Sequence, residues 1–366
     1  MDLENIKKAE VKNKRVILRV DFNVPMQDGA VTDGFRIEKT IPTITYLLRE
    51  QAIVILISHL TSELSGGLLP VAEYLKKYFP NLVYVPGNSL EKAKSILSKL
   101  SPGAVIMLDN IRLFNGEEEN NENFSAELAS LGDVYVNEAF SVSHRVHASI
   151  VGLPKALPSY TGFLFEEEYR NLREAFNPSH PFLLILGGIK FKSKLGVLAR
   201  FINIADTIFI GGGLANNFFK ALGQDIGNSV VDDDVDIRPY LGNSKIVIPV
   251  DVEKKGDQIL DMGPQSIALL SELIRKAAFI IWNGPFGNYE APGGFDFGTK
   301  EIAKKISSAR GKVLIGGGNT LDVLRHMEGW TPKAGSTFLS TAGGAMLEFL
   351  AEGTLPGIEA LKRLSP

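Results

Sequence analysis

The chain has 366 residues, of which 45% are hydrophobic and 22% charged, and its formal net charge is −3 at pH 7. This length exceeds what one hydrophobic core usually supports, so we expect more than one domain. The small net charge gives no general attraction to nucleic acid or to an anionic membrane, and the lack of cysteine excludes disulfides, thiolate catalysis and cysteine-ligated metals. The charged segment 1–15 and the strand-sized apolar runs lead us to expect a cytoplasmic protein without a membrane span.

Apolar runs of strand length alternate with segments of helical spacing along the whole chain. This alternation predicts an α/β fold with doubly wound parallel sheets. A helix is expected at 71–79, where apolar side chains recur at helical spacing. Strands are predicted at 15–20, 52–57, 82–85, 104–108 and 133–136 in the first half, and at FLLIL (182–186), TIFI (207–210), KIVIPV (245–250), AFIIW (278–282) and KVLI (312–315) in the second. The two halves therefore look alike in organisation.

The segment 165–181 is the predicted join between the two halves. Its acidic start and the apolar Leu172 and Phe176 favour a helix, which Asn177-Pro178 ends. A helix that links two domains and an ordinary surface helix both fit this pattern.

Polar side chains follow the predicted strands of the first half. Because the carboxyl ends of parallel strands meet at one edge of a sheet, these residues are expected to lie close together. Arginine binds anions through paired donors, so several arginines and histidines at one edge indicate a site for a small polyanion. The residues concerned are Asp21, Asn23, Ser58, His59, Arg112, Asn137, Glu138, His144, Arg145 and His147.

Three glycine-rich turns follow predicted strands of the second half. In LLILGGIKFKSK (183–194), an apolar run breaks at Gly187-Gly188 and continues into three lysines; IFIGGGLANNF (208–218) and VLIGGGNTL (313–321) repeat the order of apolar run, glycines and helix start. The lysines are Lys190, Lys192 and Lys194. Exposed backbone N–H groups, helix N-termini and ammonium groups favour phosphate, so a nucleotide site is predicted. The standard Walker and dinucleotide fingerprints do not occur, which disfavours a Walker kinase and a dehydrogenase.

Together these motifs resemble phosphoglycerate kinase. The resemblance runs in order along nearly the whole chain, through RVDFNVP (19–25), VNEAFSVSHRVHASIVG (136–152), LGGIKFKSK, IGGGLA, WNGPFGNYE (282–290), IGGGNT, STAGGAMLEFL and LPGIEAL. It implies reversible transfer of the acyl phosphate of 1,3-bisphosphoglycerate to ADP, which gives 3-phosphoglycerate and ATP in glycolysis and gluconeogenesis. Mg²⁺ is the implied metal, and a monomer with small-molecule substrates and no nucleic-acid or membrane partner is expected.

The resemblance also implies two Rossmann-like domains that close by a hinge motion. We expect a phosphoglycerate domain at 1–164, an interdomain helix at 165–177 and a nucleotide domain at 178–349. The tail 350–366 is expected to pack back on the first domain.

The family's site residues carry over to matching positions of this sequence. Those for phosphoglycerate are Asp21, Asn23, Arg36, His59, Arg112 and Arg145. Those for the nucleotide are Gly188, Lys190, Lys194, Gly211, Gly212, Gly213, Asn283, Glu290, Gly316, Gly317, Gly318, Asn319 and Thr320. Arg36, Lys190, Gly317 and Gly318 are expected to stabilise the group in transfer, because a loose transition state carries negative charge and an acyl phosphate needs no general base.

Three positions depart from the family pattern. Ser58-His59-Leu60 continues as Thr61-Ser62-Glu63 instead of Gly-Arg-Pro, so a substrate arginine is missing. Ser193 stands where an aspartate is usual, and Asn319 replaces the aspartate that coordinates magnesium. Asn319 stays the candidate metal ligand, because an amide oxygen can bind magnesium but contributes no charge.

These departures leave three hypotheses open. The chain is an active phosphoglycerate kinase with a modified metal site, a related kinase for a different carboxylate, or a homologue that binds nucleotide without turnover. We favour the first.

Overall fold

The structure is a computed structural model, which describes residues 3–61, 67–291 and 293–362. Contacts within the chain divide it into two compact units, Met1–Tyr169 with Thr354–Pro366, and Arg170–Gly353. The division falls inside one helix, Phe163–Arg173, which a 3₁₀ turn at Glu174–Phe176 follows.

The first unit is built on a six-stranded parallel sheet flanked by helices. Its strands are β1 (Arg15–Arg19), β2 (Met26–Gln27), β3 (Ala30–Val31), β4 (Ile53–Ile57), β5 (Val83–Val85), β6 (Val105–Leu108), β7 (Val134–Asn137) and β8 (Ser159–Thr161). Its helices are α1 (Phe35–Arg49), α2 (Leu69–Leu75), α3 (Leu90–Leu97), α4 (Glu122–Ala129), α5 (Leu153–Ala156) and the dividing helix α6 (Phe163–Arg173). The sheet order is β5-β6-β4-β1-β7-β8, while β2 and β3 form a separate hairpin.

The second unit has a sheet of the same kind. Its strands are β9 (Phe182–Leu186), β10 (Thr207–Ile210), β11 (Ile246–Val247), β12 (Val252–Lys255), β13 (Gln258–Met262), β14 (Phe279–Asn283), β15 (Lys312–Gly316) and β16 (Thr337–Leu339). Its helices are α7 (Leu195–Phe201), α8 (Gly213–Ala221), α9 (Pro264–Lys276), α10 (Phe297–Ser307), α11 (Gly318–Arg325) and α12 (Gly344–Glu352). The sheet order is β11-β10-β9-β14-β15-β16, and β12 pairs with β13 in an antiparallel hairpin.

The strand order reverses within each sheet. Counted along the chain, the second sheet runs 3-2-1-4-5-6, the order of Rossmann-type sheets, and the reversal lies between β9 and β14. The first sheet runs 3-4-2-1-5-6, and one of its reversals lies between β1 and β7, which pair in parallel with Ile17 opposite Tyr135. Ligands of such sheets bind at the carboxyl ends of the strands on either side of the reversal.

The continuous apolar runs form strands because both faces of a parallel sheet are covered. All five residues of β4, β9 and β14 are buried, and strands of this kind show no alternation of polar and apolar residues. The two six-stranded parallel sheets confirm the predicted fold class. The ten predicted strands are present, although KIVIPV is extended only at Ile246–Val247. The predicted helix at 71–79 is α2, Leu69–Leu75.

The chain returns to the first unit after α12. The last described helix, α13 (Pro356–Lys362), belongs to that unit, and the N–H of Gly357 donates to the carbonyl oxygen of Ser143 at 2.8 Å. The return begins at Thr354, whereas the sequence led us to expect it from residue 350. Within the described part of the chain, no helix combines the length and apolar character that crossing a bilayer requires.

Candidate active site

The turns on either side of the strand reversal in the second unit are bonded to each other. The N–H of Gly187 donates to the carbonyl oxygen of Asn283 at 2.8 Å, and the N–H of Gly188 donates to that of Pro285 at 2.7 Å. The carbonyl oxygen of Gly188 accepts from the N–H of Leu214, at the start of α8, at 3.1 Å. The first two glycine turns and the WNGP segment therefore form one rigid edge at the carboxyl ends of β9, β10 and β14.

The third glycine turn joins this edge through side chains. The Oγ1 of Thr320 accepts from the N–H of Gly284 at 2.9 Å. Asn283 is buried, and its Nδ2 lies 3.1 Å from a Cβ built on Gly317. That Nδ2 finds no hydrogen-bond partner among the described residues. Asn283 therefore lies beside the third glycine turn.

The lysines that follow Gly188 differ in exposure. Lys190 and Lys192 are exposed, but Lys194 is only 6% exposed, and its Nζ lies 3.7 Å from a Cβ built on Gly188. Burial, together with the charge of Lys190, lowers the pKa of Lys194 to about 8. Ser193 closes this turn locally, because its Oγ donates to the carbonyl oxygen of Lys190 at 2.8 Å.

A cavity of about 260 Å³ opens beside these turns. Five residues of the predicted nucleotide set line it: Gly188, Gly212, Gly213, Glu290 and Asn319. Gly211 and Gly316 are buried below the turns, where an added Cβ would lie 2.6 Å from Phe286 and 2.1 Å from Met346. Glu290, Gly318 and Asn319 are exposed, the last two in the first turn of α11.

Asp21 is the centre of a hydrogen-bonded group at the strand reversal of the first unit. Its Oδ2 accepts from Arg36 Nη1 at 2.8 Å and from Ser141 Oγ at 2.5 Å, and its Oδ1 accepts from the N–H of Asn23 at 3.1 Å. Burial on its own would raise the pKa of Asp21, but the charge of Arg36 and the hydrogen bonds from Ser141 and Asn23 hold it below its usual value. Asp21 is therefore a carboxylate that fixes Arg36.

His59 lies against this group as a neutral side chain. Its Nδ1 is 3.8 Å from Asp21 Oδ1 and 3.5 Å from Arg19 Nη2. Burial lowers the pKa of His59 to about 3, and the charge of Arg19 contributes to the shift. His59 can thus serve an anion as a hydrogen-bonding group, without a charge of its own near neutral pH.

Arg112 and Arg145 carry donors that the described residues do not satisfy. Arg112 Nη2 and Arg145 Nε are buried and have no hydrogen-bond partner in that part of the chain, although Arg112 Nε lies 3.0 Å from Glu118 Oε1. Burial is the main cause of the lowered pKa of Arg112, to which the charge of Arg145 adds. Two arginines with unpaired donors at one edge of the sheet form a candidate anion-binding site.

Arg19 lies beside His59 in the same cluster of polar side chains, and the sequence analysis did not predict it as a site residue. Its Nε donates to Ser149 Oγ at 2.8 Å, and that hydroxyl donates to Glu117 Oε1 at 2.5 Å, so three buried polar side chains form one hydrogen-bonded chain. The available signal was a charge inside the otherwise apolar run 15–20. Buried charges need partners of this kind, which marks them as candidates.

The structure thus brings Asp21, Asn23, Arg36 and His59 together directly, with Arg112 and Arg145 nearby through their charges. Ser62 and Glu63, where the sequence departs from the family pattern, lie outside the described residues. Their neighbour Thr61 donates from its N–H to Asn23 Oδ1 at 3.2 Å.

Both units belong to the doubly wound α/β proteins that hold ligands at the carboxyl ends of their strands, and the second carries glycine turns suited to a nucleotide. Comparison with known proteins makes the class specific. A family model described as phosphoglycerate kinase matches residues 6–353. Phosphoglycerate kinases from Pelotomaculum thermopropionicum and Coprothermobacter proteolyticus are 38% and 39% identical, and each alignment covers 99% of both chains.

Solved structures agree with the sequence comparison. The phosphoglycerate kinase from Coxiella burnetii is 30% identical with a TM-score of 0.84 over 100% of both chains, and that from Pyrococcus horikoshii is 28% identical with a TM-score of 0.86 over 98% of both. The chain belongs to the phosphoglycerate kinase family. This confirms the predicted family and enzyme class, while the roles of individual residues stay predictions.

Proposed function

We propose that the chain catalyses reversible transfer of the acyl phosphate of 1,3-bisphosphoglycerate to ADP, which yields 3-phosphoglycerate and ATP. The observation that carries the proposal, beside family membership, is that each unit has cationic donors beyond the carboxyl ends of the strands of its own sheet. An enzyme that transfers a phosphoryl group between two highly charged anions needs cationic donors for each of them.

In the first unit, phosphoglycerate is the proposed ligand. Arg112 and Arg145 offer buried donors that no described residue accepts, and Arg36 is oriented by Asp21 at 2.8 Å. Asn23 and neutral His59 add hydrogen-bonding groups. Because a guanidinium group binds carboxylate and phosphate oxygens in pairs, this set suits a ligand that carries both.

In the second unit, the nucleotide is the proposed ligand. Lys194 Nζ beside Gly188, exposed Lys190 and the N-termini of α8 and α11 favour its phosphates. The remaining proposed contacts come from the turns, the WNGP segment and the cavity rim, namely Gly211, Gly212, Gly213, Asn283, Glu290, Gly316, Gly317, Gly318, Asn319 and Thr320.

The proposed mechanism is positioning with electrostatic stabilisation. The loose transition state of phosphoryl transfer spreads negative charge over the equatorial oxygens, and a carboxylate acceptor has no proton to lose. Arg36 and Lys190 are the proposed cations for this charge, with the N–H groups of Gly317 and Gly318 as further donors. In this scheme no side chain acts as a general base.

The residues of the third glycine turn fit a magnesium ion that the nucleotide carries. No three His, Cys, Asp or Glu side chains come together as a metal cage in the described ranges. Magnesium commonly keeps several waters and is held by phosphate oxygens with one or two protein ligands. Asn319 is exposed, lies in the first turn of α11 and lines the cavity, so its amide oxygen is the proposed ligand. When bound, the ion neutralises phosphate charge.

We propose in addition a cytoplasmic monomer whose two units move about a hinge during turnover. Such a motion brings the two ligands together and excludes water from the acyl phosphate.

The test is 3-phosphoglycerate-dependent ADP formation from ATP across a magnesium titration, with Asn319→Asp measured beside the unchanged protein. We expect turnover in both, with a half-saturating magnesium concentration about tenfold lower for the aspartate variant, since a carboxylate adds charge to the metal site. Turnover with another carboxylate and none with 3-phosphoglycerate would overturn the proposed substrate.

Asn319 and Ser193 favour a second candidate, a homologue that binds nucleotide without turnover. Nucleotide binding by the unchanged protein, with turnover only after Asn319→Asp, would establish it in place of the first.

A further inference from the structure

Arg200, near the end of α7, contacts both segments through which the chain passes between its two units. On the side of the second unit these segments are 170–176, which includes the end of α6, and 349–353, which includes the end of α12; we call them the crossings. Arg200 Cζ lies 4.6 Å from the ring centre of Phe176, and Arg200 Nη1 donates to the carbonyl oxygen of Ala351 at 2.9 Å. One side chain therefore fixes both crossings to α7.

The guanidinium group suits the two contacts for different reasons. The ring of Phe176, over which it lies, also packs against Phe201 of α7 and Phe349 of α12, with ring centres 6.2 Å and 5.5 Å apart. The carbonyl group of Ala351 is one of the last four of α12, which have no partner within a helix and attract a cation. A planar cation with several donors can serve an aromatic face and a helix end together.

Lys333 shows what a purely local contact of this kind looks like. Its Nζ donates to the carbonyl oxygen of Ala309, just after α10, at 3.0 Å. This bond stabilises the end of one helix, and both of its residues lie outside the crossings. Stabilising the end of α12 would need no more than such a bond. It does not account for the second contact of Arg200, with Phe176 on the other crossing.

The helix that carries Arg200 also begins at the proposed phosphate lysines. α7 has seven residues and starts at Leu195, directly after Lys194. Arg200 therefore lies fewer than two helical turns from that lysine. A helix this short moves as one piece, so the crossings are fixed relative to the proposed nucleotide site.

We propose that Arg200 is a positioning residue, which fixes both crossings relative to the nucleotide site and so directs the hinge motion to the geometry in which phosphoryl transfer occurs. The proposal rests on the hinge motion proposed above. Hinges are a few residues at the ends of elements, far from the chemistry, and their replacement changes turnover. Arg200 acts through the chain segments that it holds and does not touch a substrate.

The experiment separates binding of each ligand from turnover, in the full chain. Each ligand is proposed to bind within one unit, so binding of one ligand alone does not need the hinge, whereas turnover does. Arg200→Ala should lower kcat about tenfold, since a small misplacement of reacting groups can cost up to about a hundredfold. The Kd values of ADP and of 3-phosphoglycerate, each measured alone by calorimetry, should stay unchanged.

Small-angle scattering measures the motion itself. ADP and 3-phosphoglycerate together cannot react, and at saturation they should lower the radius of gyration of the unchanged protein. The decrease should be clearly smaller in Arg200→Ala. Lys333→Ala, the matched control, should change neither kcat nor this decrease. Arg200→Lys keeps the charge but not the planar group, so its kcat should lie between those of the unchanged protein and Arg200→Ala, and it replaces the alanine variant if that one does not fold.

Three results would overturn the proposal. The same kcat and the same decrease in radius of gyration in the unchanged protein and the Arg200 variants would refute the role of Arg200 alone. A loss of ADP affinity as large as the loss in kcat would assign Arg200 to the shape of the nucleotide site. No decrease in the unchanged protein would refute the hinge motion itself, whereas the proposed reaction is tested separately by turnover of the unchanged protein.

Discussion

Arg36 donates from Nη1 to Asp21 Oδ2 at 2.8 Å, and the same Nη1 lies 3.3 Å from the carbonyl oxygen of Asn23. The guanidinium group is thus oriented before any ligand arrives, by a carboxylate that Ser141 also holds. Orientation of this kind removes reorganisation cost from the reaction, provided that Arg36 acts on the transferring group.

Replacement of Arg36 should therefore reduce the rate and spare nucleotide binding. We expect Arg36→Ala to lower kcat about a thousandfold, as for other arginines that stabilise phosphoryl transfer, with the Kd for ADP unchanged. Steady-state rates and calorimetry measure the two quantities. Arg15→Ala is the matched control, because Arg15 pairs with Asp133 at 2.7 Å at the opposite end of β1. A loss in Arg36→Ala no larger than that in Arg15→Ala would contradict the role.

Lys194 predicts a pH dependence of nucleotide binding. Because burial lowers its pKa to about 8, the free protein loses this ammonium charge as the pH rises through 8. Bound phosphate favours the charged form, so binding above pH 8 takes up a proton. ADP affinity should fall by up to about tenfold between pH 7 and pH 9.

Calorimetry in buffers of different ionisation enthalpy measures the proton uptake directly. In Lys194→Arg the side chain stays charged across this range, so both the uptake and the pH slope should vanish. An equal slope in the arginine variant would show that another group is responsible.

Glu138 predicts a pH dependence of stability. Its Oε1 accepts from Thr43 Oγ1 at 2.5 Å and from the N–H of Leu164, in the first turn of α6, at 3.1 Å. Burial raises the pKa of Glu138 from 4.5 to about 8. Between these values the unfolded chain ionises and the folded one does not, so the free energy of unfolding should fall as the pH rises from 4.5 to 8 and then level off.

Glu138→Gln removes this dependence and keeps the acceptor for Leu164. Between pH 5 and pH 8 its stability should improve relative to the unchanged protein by on the order of 3 kcal/mol. Urea unfolding at both pH values measures the difference. Glu127→Gln, at an exposed position of α4, should show no such change. A pH-independent difference for Glu138→Gln would mean that the carboxyl is ionised in the fold.

The central strands were predictable because burial on both faces leaves a continuous apolar run. The edge strands β8 and β16 were not, since each has three residues and takes its place from a neighbour: Tyr160 pairs with Val136, and Phe338 pairs with Leu314. The hairpins β2-β3 and β12-β13 were also missed, because strands of two to five residues carry little periodic signal.

The candidate site residues could be predicted from their positions after strands and from the family resemblance. Their degree of burial could not be predicted in this way. Lys194 reads like Lys190 and Lys192 in the sequence, yet it alone is buried, because the chain turns at Lys192–Lys194 into α7. In the sequence, Arg19 stands near the end of an apolar run and has no evident partner. Its buried hydrogen bonds can be recognised only in the fold, which places Ser149 and Glu117, distant in sequence, beside it. Such properties arise from tertiary contacts, which periodicity does not encode.

Gly212 tests the interlocked turns most directly. Its φ is +61°, and a Cβ added there would lie 2.8 Å from both the backbone nitrogen of Gly188 and the carbonyl oxygen of Pro285. Gly223, at the end of the same helix, has a φ of +75° but open space around an added Cβ. Both positions have a positive φ, but Gly212, with a ψ of −154°, lies in a region almost restricted to glycine, and only there does an added Cβ also meet backbone atoms.

We expect Gly223→Ala to lower the free energy of unfolding by about 1 kcal/mol, the cost of placing alanine at positive φ. Gly212→Ala should cost about 3 kcal/mol, because backbone atoms cannot move aside as a side chain can. ADP affinity should fall only in Gly212→Ala, since the clash separates the first glycine turn from the second. Urea unfolding and calorimetry test this pair, and equal costs at the two positions would mean that the turns yield independently and do not form one rigid edge.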